Sequence, residues 1–216
     1  MRVVTGVKCV IAAVVAATVA TGCSVDGAAE RVPDLNAKAV DSSAFPFGPA
    51  TQVPPAQLPG AIADVTFVPL RARNEPDECT PSPVSAEGAA LRVGPGGPAG
   101  GTLSVLVARA SGGFHEYVDR LRSCPDFLLG GTVGTHVTTQ IIDSGKAIET
   151  GDGAVQSDRT LRNGETAYAY VYELVAQQGD VRVVVQNRRP GRELGAPDRS
   201  ATRELFDAAT TRAFGG

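Results

Sequence analysis

Apolar and polar residues alternate through much of the second half of the chain. Val133, Thr135, Val137, Thr139 and Ile141 interleave with Gly134, His136, Thr138 and Gln140, the period of two that marks a half-buried strand. Asp152-Gly153 and Asn163-Gly164 carry the residues of type I′ hairpin turns, and Gln178-Gly179-Asp180 can close a third. The pattern predicts strands over 132–143, 146–150, 154–161, 165–177 and 181–189, ended by Pro190-Gly191. Connections this short join antiparallel neighbours, because parallel strands need a long crossover. Downstream, residues 198–214 read as a helix with Thr202, Leu205, Phe206, Ala209 and Ala213 on its inner stripe.

The middle of the chain changes period. Residues 102–110 hold Leu103, Val105, Leu106 and Val107, a near-continuous apolar run that suits a central strand covered on both faces. Phe114, Tyr117, Val118 and Leu121 then fall at helical spacing, and Pro125 stops that helix just after Cys124. Upstream, residues 61–70 suit a strand, 71–83 a polar loop around Cys79, and 89–93 a short strand. The run from Gly94 to Gly101 forces a loop. It lacks the Gly-Lys-Ser/Thr ending of a phosphate cradle. Residues 45–59, with five prolines, read as an extended arm lying on the domain. Together these elements predict an α+β fold, with an antiparallel meander of about five to seven strands packed by two helices and one disulfide.

The N-terminus is organised differently. Arg2 and Lys8 precede an uncharged run from Val10 to Ala20, too short for the roughly 20 apolar residues of a spanning helix and suited to a signal peptide over residues 1–22. Ala20-Thr21-Gly22-Cys23 resembles the lipobox of bacterial lipoproteins, in which the cysteine is acylated and becomes the mature N-terminus; here that residue is Cys23, with Ala20 where leucine is usual. Residues 23–42 show no sustained apolar period and read as a flexible tether with a reach of roughly 25 Å. Residues 43–216 then form one domain. Cys9 leaves with the signal and Cys23 is acylated, so Cys79 and Cys124 remain to pair in an oxidising compartment.

Charge excludes one class of partner. Of 20 basic residues the signal removes two, leaving 18 against 23 acidic ones. The basic residues are scattered and leave no footprint for nucleic acid. Candidate chemistry is sparse. His115-Glu116 lacks the second histidine of a zinc protease, since position 119 is Asp. No Gly-x-Ser-x-Gly elbow occurs, Ser144-Gly145-Lys146 lies in an expected turn, and the carboxylates of Asp77-Glu78 and of 149–152 fall in loops. Catalytic, metal and cofactor sites are therefore expected to be absent. Tyr168, Tyr170 and Tyr172 alternate along one strand and form an aromatic strip. Such a strip either floors a groove for a lipid, glycan or peptide, or packs beneath a helix or pairs across strands. Arg182, Arg188 and Arg189 stand on or near the neighbouring strand, where they could bind an anionic ligand, although charges on an exposed sheet face are usually solvated.

With the lipobox at Cys23, the Phe45-Pro46 entry and proline-rich arm, Pro76-Asp77-Glu78-Cys79, Leu103-Ser104-Val105-Leu106-Val107, and the Tyr117–Cys124 helix, the chain resembles a family of actinobacterial envelope lipoproteins of unknown function. That family looks related to the extracellular sensor domain of a receptor Ser/Thr kinase, an α+β domain with two disulfides and a cleft. The chain has cysteines for one of these bridges. The resemblance implies a protein held by its N-terminal lipid on the extracytoplasmic face of the cell membrane, binding a lipid, glycan or envelope protein without catalysis. The competing expectations are an envelope hydrolase and a structural or chaperone-like component of an envelope complex.

Overall fold

The computed structural model describes residues 32–144 and 153–215. Eight strands form one sheet: β1 (Thr51–Gln52), β2 (Val84–Pro95), β3 (Thr102–Ala110), β4 (Asp126–Leu129), β5 (Thr135–Ser144), β6 (Gly153–Asn163), β7 (Thr166–Gln178) and β8 (Val181–Pro190). Their spatial order is β1-β2-β3-β8-β7-β6-β5-β4, and every pairing is antiparallel. The α+β class, the antiparallel sheet and the disulfide agree with the sequence reading, and the strands outnumber the expected five to seven. One expected strand is longer than its sequence suggested, and one strand is new. β2 extends well beyond 89–93 because a break in register between Ser85 and Ala90 lets it pair with β3 on both sides of the irregularity. β4 is too short for periodicity to reveal and exists through its pairing with β5.

Residues 61–70, expected as a strand, lie mostly in helix α1 (Leu58–Thr66). Leu58, Ile62 and Val65 are its buried residues and stand at i, i+4 and i+7, while Pro59 sits in the first turn where no N–H is needed. The β-branched content of the segment suggested a strand, but packing on the sheet selected the helical stripe. Phe67 ends α1 in the left-handed region with φ of 57°, and Val68 donates its N–H back to the Ala63 carbonyl at 3.0 Å. Such a backbone costs a non-glycine residue about 1–2 kcal/mol, offset here by complete burial of the Phe67 ring.

Helices α2 (Phe114–Ser123) and α3 (Ala196–Phe214) match the two expected ones. Together with α1 they cover both faces of the sheet. Leu103, Val105 and Val107 of β3 face Leu205 and Ala209 of α3, while Leu106 and Ala108 face Ile62 of α1 and Val118 of α2. β3 is therefore the doubly covered central strand that its unbroken apolar run implied.

The folded body begins earlier than residue 43. Leu35, Ala39 and Val40 are buried in the α3-side core, through a 3-10 turn over Leu35–Lys38 whose Asn36 N–H is capped by the Asp34 carboxylate. The segment from 32 to 42 is thus part of the packed domain, because a few apolar residues among charges suffice to seat it against β2 and β3. The hairpin after β6 also differs from expectation. Asn163 pairs with Thr166, so the two loop residues are Gly164 and Glu165, displaced by the register shift at Leu161/Arg162. The Gln178-Gly179-Asp180 turn joins β7 to β8 as expected, with Gly179 at φ of 57°. The signal peptide, Cys23, the strand over 146–150 and the Asp152 turn position lie outside the described residues.

Candidate functional site

Side-chain parity and helix placement together create a groove on the α3 side of the sheet. Strand pairing sets Thr138, Thr160 and Tyr170 side by side across β5, β6 and β7, with Gln140, Asp158 and Tyr172 in the next row. α3 packs on β8, β7 and β3, leaving the β5–β6 part of this face uncovered by a helix. The resulting cavity, of ≈ 310 Å³, is lined on its floor by Thr138, Thr160, Tyr170, Gln140 and Asp158, and on its wall by Glu193, Leu194 and Arg199.

The three tyrosines meet three different environments along this one strand. Tyr172 is completely buried and packs with Leu174 and Leu194 beneath α3. Its ring lies under the guanidinium groups of Arg199 (4.7 Å) and Arg203 (5.7 Å), and burial pushes its phenol pKa up. Tyr170 is half-buried and borders the groove. Tyr168 is 43% exposed, and its hydroxyl lies 3.2 Å from that of Thr135. The strip therefore does both things that its pattern allowed: it packs under a helix at one end and lines a groove beyond that helix.

Arg199 is held rather than free. It donates to both carboxylate oxygens of Asp158, at 2.8 and 2.9 Å, and to the Leu194 carbonyl. This fork-to-fork pair fixes the groove wall against its floor. By contrast, among the described residues no hydrogen bond to another protein group satisfies the side chains of Thr138, Thr160, Tyr170, Gln140 or Glu193. Sequence reasoning missed Asp158, Glu193 and Arg199 because they converge from β6, a loop and α3. The threonines carried the strand alternation but no further signal.

The opposite face holds a buried ionic cluster that the sequence did not announce. Arg159 donates to Glu173 Oε1 at 2.8 Å, with side-chain exposures of 3% and 2%. Tyr117 donates to the same oxygen at 3.2 Å, and Gln186 donates to Oε2 at 3.2 Å and to the Val65 carbonyl at 3.0 Å. The Phe67 ring lies 4.3 Å from the Arg159 guanidinium. Burial, then the Glu173 charge, pushes the Tyr117 phenol well above its ordinary range. Burial opposes the charge on Arg159, and Glu173 and Tyr117 together outweigh it, so that its pKa is raised. Arg182, buried over Tyr117 at 4.5 Å, is lowered by burial.

The cluster corrects the expectation that Arg182, Arg188 and Arg189 are solvated. Arg182 binds the Gln177 amide oxygen, Arg188 forks onto Asp64 of α1, and Arg189 meets Asp198 of α3 at 2.6 Å. The helices, invisible to a strand-only reading, supply the partners of Arg188 and Arg189, whereas Arg182 finds its partner on β7; Arg182 and Arg189 are buried and Arg188 is half-buried.

Cys79 and Cys124 form the expected disulfide, with Cα atoms 5.5 Å apart. It ties the end of α2 to the 3-10 turn Asp77–Cys79, in the long loop after α1. Asn74, 1% exposed, donates to the carbonyls of Phe67 and Cys79 and accepts from the Gly130 N–H. His115 pairs with Asp119 at 2.8 Å on an exposed face, and His136 with Asp126 at 2.6 Å near a sheet edge. Among the described residues no cluster of three or more His, Cys, Asp or Glu is placed to hold a metal ion, and no helix is long and apolar enough to cross a membrane. Asp77 and Glu78 are exposed, and Lys146 and residues 149–152 lie outside the described residues.

No protein-family model matches the chain, and no curated protein matches it. Among solved structures it is similar to the X-ray structure of an uncharacterized protein, the Rv0999 ortholog, from Mycobacterium smegmatis. Identity is 18% and the TM-score 0.41, over 76% of this chain and 85% of that one.

Proposed function

We propose that this is a lipid-anchored envelope protein whose domain binds a ligand in the groove beside α3 and catalyses no reaction. The observation that carries the reading is the groove itself. A row of polar side chains on the sheet, without hydrogen-bond partners among the described residues, lies beside a wall held by the Asp158–Arg199 fork. Groups left in this state exchange water for a ligand's polar atoms at low reorganisation cost. The anchor follows from the signal-like start and Cys23. With packing from residue 32 onward, residues 24–31 span at most roughly 25–30 Å. An anchor at Cys23 would then hold the domain close to the extracytoplasmic membrane surface.

Two measurements test the parts separately. Mass spectrometry of the native N-terminus should find an acylated Cys23, and Cys23→Ser should move the protein out of the membrane fraction; an unmodified N-terminus that retains residues 1–22 refutes the anchor. Native mass spectrometry of the mildly extracted protein should find a retained ligand mass that Tyr170→Ala removes. A ligand mass unaffected by that change refutes the groove as its site.

A further inference from the structure

Resting on the reading that the groove is a ligand site, we infer that its ligand is an uncharged glycan. The chemistry of the lining separates this class from the others. An anionic headgroup or phosphate needs an available cation, and both arginines at the groove are already paired, Arg199 by two bonds to Asp158 and the buried Arg159 with Glu173. Glu193 on the wall adds a further negative charge. An acyl chain needs apolar walls. Here Leu194 is itself 6% exposed, its surface spent against Tyr172. A peptide added as a strand needs a free sheet edge, whereas β6 and β7 are hydrogen-bonded on both sides and β5 is covered by β4 over Thr135–Thr138, the stretch that brings Thr138 to the groove floor.

Sugars fit what remains. The hydroxyls of Thr138 and Thr160 can each donate or accept, as sugar hydroxyls require. They project from adjacent strands about 4.8 Å apart, a spacing comparable with one pyranose ring. The half-buried ring of Tyr170 continues the row and offers an apolar face to sugar C–H groups, with a hydroxyl at its edge. The Gln140 amide provides a donor and an acceptor in the neighbouring row. A cavity of ≈ 310 Å³ stands at the small end of ligand sites. It therefore grips one or two residues of a chain whose ends extend over the exposed β4–β5 sheet face.

The experiment uses the full chain and defined probes: maltohexaose, mannotetraose and chitotetraose, with a lysophospholipid, inorganic phosphate and a short acidic peptide as alternatives. Binding is read by calorimetry and by tyrosine emission, which is clean because the protein has no tryptophan and four tyrosines. At least one oligosaccharide should bind, and Thr160→Val should weaken it roughly five- to tenfold, the scale of one neutral hydrogen bond. The unfolding midpoint should be unchanged. If Thr160→Val perturbs folding, Gln140→Ala, at an exposed position whose amide serves the sugar, replaces it. No oligosaccharide binding at millimolar concentration, or binding that neither variant nor Tyr170→Ala alters, overturns the glycan assignment. Should the lysophospholipid, phosphate or peptide bind instead and lose affinity in these variants, the glycan falls while the groove stands; binding of every probe independent of the variants removes both.

Discussion

Replacing Glu173 by leucine isolates what the buried ionic cluster does for the fold. The carboxylate accepts from Arg159, Tyr117 and Gln186, and both members of the ion pair are 97% or more shielded from water. Glu173→Leu keeps the volume but leaves the Arg159 guanidinium with the Thr139 hydroxyl at 3.3 Å and the Phe67 ring as its remaining partners. Breaking one side of such a pair costs about 3–5 kcal/mol, because a charge stays buried without compensation. That is a large share of the roughly 5–15 kcal/mol that holds a domain folded. For a body of this size it corresponds to a melting point lower by about 6–20 °C. The double variant Arg159→Met/Glu173→Leu removes both charges and should regain at least half of the loss, since apolar replacements of a whole buried pair are often neutral or better. Urea unfolding followed by circular dichroism measures all four species. A single variant within about 1 kcal/mol of the parent, or a double variant whose loss equals the sum of the two singles, would refute the claim that these charges are held by each other.

Alkaline stability should report the same cluster. Tyr117 is raised above its ordinary 10.0 in the folded protein, so the unfolded chain gives up this proton first, and stability falls as pH rises above about 10. Tyr117→Phe should flatten that limb when unfolding is followed between about pH 8 and pH 11, and an unchanged slope would show that the buried phenol does not set it. Cys79→Ser with Cys124→Ser opens a bridge between residues separated by 45 positions. The chain-entropy limit for this loop is about 4 kcal/mol, and a loss of about 2–4 kcal/mol is expected in urea. Reduction of the parent protein should reproduce it, and a loss below about 1 kcal/mol would mean that Asn74 and the packing of Phe67 suffice to hold the loop after α1.

Much of the fold was legible because local signals and tertiary demands agreed. The alternation in β5, the continuous run in β3, the stripes of α2 and α3 and the turn at Gly179 each state in sequence what the structure shows. Legibility failed where one segment satisfied two periods. Leu58, Ile62 and Val65 lie at helical spacing within a β-branched stretch, and the sheet surface beneath them made the choice. It failed again at β4, whose four residues become a strand only by pairing with β5, and at Leu35, Ala39 and Val40, three apolar residues among charges that the α3-side core recruits.

Hydrophobic periodicity and cysteine parity by themselves determined the α+β class, the signal-like start and the one disulfide pairing, because periodicity and the count of remaining thiols are local properties of a chain. The groove, the Asp158–Arg199 fork and the Arg159–Glu173 pair were decided by tertiary structure alone. They join residues 41 and 14 positions apart across strands and a helix, and whether a polar side chain ends in solvent, in an ion pair or beside a cavity depends on which element covers that face of the sheet. Three tyrosines two residues apart make the point: one pattern, and three environments set by where α3 ends.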